Sequence, residues 1–84
     1  MGRTMTTKDI LGWLAELFEF PGDKIQVNSL RREIPAWDSL GMLSLMAGLD
    51  ERFHIHLTDK DIGTLQSVAD VLSILRLNGI ISED

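Results

Sequence analysis

The stretch Trp37-Asp38-Ser39-Leu40-Gly41-Met42 decides the fold of this chain, because it reads as the opening of an amphipathic helix. After Asp38, apolar residues fall at Met42, Leu45, Met46, Leu49 and Phe53, the i, i+3, i+4, i+7, i+11 series of one helical face. That spacing predicts a helix from about Ser39 to Phe53. Asp38 reads as its N-cap, with a carboxylate placed to accept a hydrogen bond from the free N–H of Leu40 or Gly41 and favoured by the positive end of the helix dipole. Ser39 is then the first helical residue, and Trp37 and Met42 take the two positions of a hydrophobic staple. A hydroxyl nucleophile beside a carboxylate at a helix N-terminus stands where a covalently attached phosphate would be stabilised.

Outward from this helix the pattern stays helical. From Thr7, the residues Ile10, Leu11, Leu14, Leu17 and Phe18 follow helical spacing, and Thr6 with Asp9 has the form of a capping box. Phe20-Pro21-Gly22-Asp23 is the expected stop. Between Asp23 and Trp37 no period is sustained; Ile25, Val27, Leu30 and Ile34 are candidates to tuck an ordered loop onto a core. On the other side, His54-Ile55-His56-Leu57 alternates and reads as a short extended link. Thr58 and Asp61 predict a short helical turn through Ile62, broken by Gly63. Ser67 and Asp70 mark a further start, with a stripe at Val68, Val71, Leu72 and Leu75 and a stop at Asn78-Gly79. Three substantial helices, a short one and a long first loop, with no strand pattern, predict an all-α bundle of four helices in one domain, its core spanning about residues 6–78.

Composition narrows the function. Eighty-four residues, 44% of them hydrophobic, make one small folded domain with one core. There is no cysteine, so disulfides and thiolate metal sites are excluded and any thiol chemistry must come from an attached group. Thirteen acidic against eight basic residues give a net charge of −5, which disfavours nucleic acid and anionic membranes and suits basic protein partners. A helix-turn-helix DNA reader would need a basic recognition helix, and the helix after Asp38 carries only Arg52. No apolar run approaches a membrane span and no signal peptide is evident, so a cytoplasmic monomer is the default expectation. Met1-Gly2-Arg3-Thr4-Met5-Thr6 fits the loose myristoylation pattern and reads as a chance match.

With Asp38-Ser39-Leu40 opening the second helix, Phe53 ending it and Thr64-Leu65-Gln66-Ser67-Val68 leading into the last, the chain resembles the acyl carrier protein family from about Thr6 to Leu77. The resemblance implies that Ser39 carries 4′-phosphopantetheine, transferred from coenzyme A by a separate magnesium-dependent phosphopantetheinyl transferase. It implies no catalysis by the chain itself: the thiol of the arm holds acyl or aminoacyl groups for a loading enzyme and a downstream acyltransferase or synthase. Asp38 and Leu40 belong to the same motif. Carriers of fatty-acid synthesis typically have an acidic residue directly after Asp-Ser-Leu and another three positions on; this chain has Gly41 and Ser44. Its Trp-Asp-Ser-Leu-Gly form resembles free-standing carriers of dedicated pathways, such as polyketide, modified-lipid or surface-polymer synthesis, and Gly41 those that hold an amino acid such as D-alanine. The general fatty-acid carrier is the alternative within the family. An unmodified helical interaction module is the alternative outside it.

The outward face beside Ser39, built from Leu40, Ser44, Ala47, Gly48 and Glu51, reads as small and weakly charged. Partners are expected to dock there through shape and apolar contact around Leu40 and Leu43, with less electrostatic steering than a general fatty-acid carrier would use. Trp37 reads as a staple and loop anchor, Trp13 as packing on the first helix, and the Met42, Leu45, Met46, Leu49 stripe as core that in a carrier also sheathes an acyl chain. His54 and His56, two apart with Asp50 nearby, would share a side if their link were extended; they read as surface histidines rather than metal ligands. No base accompanies Ser39 in the sequence, so it does not read as a hydrolytic nucleophile.

Overall fold

Capping residues and apolar stripes cooperate to set four α-helices in the computed structural model, which describes residues 5–81. They are α1 (Thr7–Leu17), α2 (Ser39–Phe53), α3 (Asp59–Thr64) and α4 (Val68–Leu77), with a single 3₁₀ turn at Arg31–Glu33 in the first loop. The described chain is all-α. Its only strand-like pairings among the described residues are two isolated bridges, Met5 with Ile81 and Leu30 with Ser67. The myristoylation-like pattern depends on Gly2, which lies outside the described residues.

Helix starts follow their caps. Thr6 Oγ1 accepts from Asp9 N while Asp9 Oδ2 accepts from Thr6 N, both at 3.1 Å, and Thr58 with Asp61 repeats the arrangement at α3. At α4, Ser67 Oγ accepts from Asp70 N at 3.2 Å. Each satisfies first-turn N–H groups that the helix itself leaves open.

Helix ends depart from expectation in three places. α1 stops at Leu17 rather than at the Phe20-Pro21 boundary, because Glu19 turns left-handed (φ 50°) and the N–H groups of Glu19 and Phe20 donate back to the carbonyls of Glu16 and Ala15. This is a Schellman closure without glycine, and Pro21 merely follows it. α3 runs through Gly63 to Thr64, whose hydroxyl donates to Asp61 O at 2.8 Å, so Gly63 does not break the helix. His54 is left-handed (φ 58°), so the 54–57 link is not extended throughout and the reading of two histidines on one side of a strand fails. At α4 the expected stop holds, with Gly79 at φ 73°.

The core joins Ile10 and Leu14 of α1, Leu45 and Leu49 of α2, and Val68, Val71, Leu72 and Leu75 of α4 with Leu65. The long first loop closes it. Ile25 and Ile34 are buried, whereas Val27 is 44% exposed and takes no part. Backbone bonds stitch this loop to the start of α4: Val68 N donates to Ser29 O at 2.9 Å and Arg31 N to Gln66 O at 2.8 Å. The loop therefore behaves as a structural element, and it delivers Trp37 and Asp38 to the head of α2.

Candidate functional site

Pro35, Ala36 and Trp37 bring the chain onto α2 at a corner held from three sides. Trp37 is buried and lies parallel to Phe18, with ring centroids 5.1 Å apart and an interplanar angle of 18°. Arg31 Nε donates to Trp37 O at 3.0 Å. Gly41 completes the corner: a Cβ there would overlap the carbonyl oxygen of Ala36 and stand 2.9 Å from its carbonyl carbon, so only glycine lets loop and helix approach this closely. The indole Nε1 of Trp37 is buried without an acceptor, so its role here is packing rather than hydrogen bonding.

On this support the head of α2 is presented outward. Asp38 caps the helix, its Oδ1 accepting from Gly41 N at 2.9 Å, one of the two donors the sequence offered. Ser39 is exposed in the first helical position. The N–H groups of Ser39 and Leu40 have no acceptor within the helix and none elsewhere among the described residues. An anion bonded to Ser39 Oγ would meet those two donors and the positive end of a 15-residue helix, so the residues fit a phosphodiester. Beside Ser39, Leu40 is 73% and Leu43 60% exposed, large apolar side chains that nothing in the described chain covers.

Comparison with family models and with curated proteins gives no match. The site therefore rests on its own geometry.

Of the expected docking face, Leu40, Leu43, Ser44, Ala47 and Glu51 are exposed along α2. Gly48 is only half-exposed. Its missing side chain makes room for Trp13 of α1, whose Cζ2 lies 2.7 Å from where a Cβ would stand. Gly48 sits at the edge of the face nearest α1, and the indole covers it. Trp13 also meets Phe53 edge-on, centroids 5.6 Å apart, and the Arg52 guanidinium lies 5.6 Å over the Trp13 ring. Met42, Leu45 and Leu49 of the apolar stripe are buried, while Met46 is half-buried at its margin.

The histidines separate. His54 occupies the left-handed C-cap of α2, and His56 Nε2 stands 3.5 Å from Asp50 Oδ1 in an exposed pair. Among the described residues no group of three or more His, Asp or Glu is arranged to hold a metal ion. Among the described residues no helix is long and apolar enough to cross a membrane. Arg31 carried no signal in the sequence, and Phe18 was legible only as part of the apolar spacing of the first helix, because the contact each makes with Trp37 crosses a loop that has no period. Gly41 carried one: a glycine inside a helical pattern points to close packing.

Proposed function

We propose that this chain is a carrier of the acyl-carrier type, in which Ser39 accepts 4′-phosphopantetheine from coenzyme A through a partner transferase. In that transfer Ser39 Oγ forms the new phosphodiester and adenosine 3′,5′-bisphosphate leaves. The arm supplies a thiol, which this cysteine-free chain lacks, and holds acyl or aminoacyl groups as thioesters. The observation that carries the reading is the head of α2: an exposed serine in the first helical position, capped by Asp38, with two free N–H groups and two exposed leucines beside it.

Other features support it. The element order, with a long structured first loop and a short third helix, is the one expected of an acyl-carrier bundle. Asp38 holds the first turn in place for the attached phosphate. Leu40 and Leu43 give the transferase, a loading enzyme and a downstream acyltransferase or synthase an apolar patch next to the modified residue. Ser44, where general fatty-acid carriers typically have an acid, leaves that patch with little charge, and with Gly41, the other such position, favours a carrier dedicated to one specialised pathway. Ser44 and Ala47 keep the face low and open; Glu51 supplies its charge at the far end.

Intact mass tests the reading, measured before and after incubation with coenzyme A, magnesium and a broad-specificity phosphopantetheinyl transferase. The wild-type chain gains one phosphopantetheine and Ser39→Ala gains none, while both keep the same helical circular dichroism, because an exposed first-turn serine contributes little to stability. An unchanged mass in folded wild-type protein would overturn the carrier and leave Leu40 and Leu43 as the docking patch of an unmodified helical module.

A further inference from the structure

The outer side of α1 has no part in the carrier reading. Lys8, Gly12 and Glu16 stand there at i, i+4 and i+8, all exposed, and with Asp9, Trp13 and Arg52 they line an open groove of about 550 Å³. Two features of this side work against α1 as a solitary helix. Lys8 is its second residue and Glu16 its last but one, each at the end where the helix dipole disfavours its charge. Gly12, in the middle, costs stability that alanine would not, and a Cβ there would meet nothing within 4 Å. Gly41 and Gly48 make room for Ala36 and Trp13; Gly12 makes room for nothing in the described chain.

We infer that this face is a homodimer interface, in which the α1 helices of two copies pack antiparallel about Gly12. The symmetry accounts for all three residues. Lys8 and Glu16 lie four residues to either side of Gly12, about 6 Å each way at the α-helical rise. A two-fold axis passing beside Gly12 and perpendicular to the helix therefore sets Lys8 of each copy opposite Glu16 of the other, which makes two identical ion pairs. Each charge that α1 places badly for its own dipole then lies at the favourable end of the facing helix. Bare backbone at Gly12 lets the two helices approach closely at the centre, and the half-exposed indole of Trp13 beside it supplies apolar surface.

Charge permits the contact. The chain as a whole carries −5, which drives copies apart, but on this face Lys8 and Arg52 balance Asp9 and Glu16. The surface is small, one helix of 11 residues, so the dimer belongs to the weak, transient class. It also leaves the head of α2 free, because Arg52, the residue of α2 on this groove, is thirteen residues beyond Ser39, about 20 Å along the helix. The dimer uses none of the chemistry of Ser39, so it stands or falls separately from the carrier reading.

Sedimentation velocity and backbone amide NMR of the unmodified chain, over a concentration series reaching the millimolar range, read the association. Wild type moves from monomer towards dimer as concentration rises, with the amide changes centred on Gly12. Lys8→Glu and Glu16→Lys each set like charges opposite one another and weaken self-association by about tenfold or more. Mixed in equal amounts they associate with each other as wild type does with itself, because every facing pair is again opposite in charge; the double variant, whose net charge is unchanged, does the same alone. Both single changes improve the match of α1 to its own dipole, so a lost dimer is not a lost fold, and circular dichroism checks this. Gly12→Gln raises the thermal midpoint through better helix propensity while weakening association. The inference is overturned if wild type stays monomeric across the series, if the mixture and the double variant associate no better than the single variants, or if Gly12→Gln associates as wild type does.

Discussion

Gly41 is the residue on which the presentation of Ser39 most depends. Its hydrogen atom faces the Ala36 carbonyl, and any side chain there must push the Pro35–Trp37 corner away from α2. Gly41→Ala is expected to lower stability by about 1–3 kcal/mol, the usual range for overpacking a tight contact, even though alanine is the better helix former. A urea denaturation midpoint at or above that of wild type would show that the corner yields freely. Asp38 acts more locally. Asp38→Ala removes the cap on Gly41 N and is expected to destabilise by about 1 kcal/mol, while Asp38→Asn, which keeps an acceptor oxygen, changes stability by a few tenths. Equal losses for both variants would assign the effect to charge against the helix dipole instead of to the hydrogen bond.

At the scale of elements, α1 and α2 approach through Gly48 and Trp13, and the sequence did not show that an indole overhangs that glycine. Helical spacing assigned it near Leu40 and Glu51, but spacing alone does not say which neighbour overhangs the edge of a face. A methyl at position 48 collides with the tip of a half-exposed indole rather than with backbone, so the ring can move. Gly48→Ala is therefore expected to change stability by less than about 1 kcal/mol, since the gain in helix propensity offsets lost packing, and to alter Trp13 fluorescence in a Trp37→Phe background. Unchanged emission would mean that the indole does not rest on that glycine. The same comparison explains what was legible. Helix starts were read within a residue because Thr6, Asp38, Thr58 and Ser67 act on N–H groups three residues away, a range that sequence spacing captures. The end of α1 was missed because Glu19, unlike glycine, gives no warning of a left-handed turn. The cap by Asp38 and the exposure of Ser39, Leu40 and Leu43 were legible from helical register; the left-handed turn at His54, which sets the course of the link after α2, was not.

For the molecule as a whole, the first loop is as much part of the folded unit as any helix. Ile34 and Trp37 are as buried as the helical core, and the loop's bonds to Gln66 and Val68 cross from one half of the chain to the other. Ile34→Ala is expected to cost about 2–5 kcal/mol, as for a fully buried aliphatic residue in a helix. In native-state hydrogen exchange the amides of Arg31 and Val68 should open only with global unfolding. Fast exchange at both, with slow exchange in α4, would show the loop to be a separately opening flap.

The pairing of Met5 with Ile81 has a bearing on how the domain can be handled. Met5 N donates to Ile80 O at 2.8 Å, so the two ends of the described fold, Met5 and Ile81, stand side by side. Joining those ends through a short linker would leave the bundle's topology closed, and new ends opened at the exposed Pro21-Gly22 turn would be the natural place to cut it. The same adjacency would let the whole bundle sit in a surface loop of another protein as a cassette, with the head of α2 still facing outward.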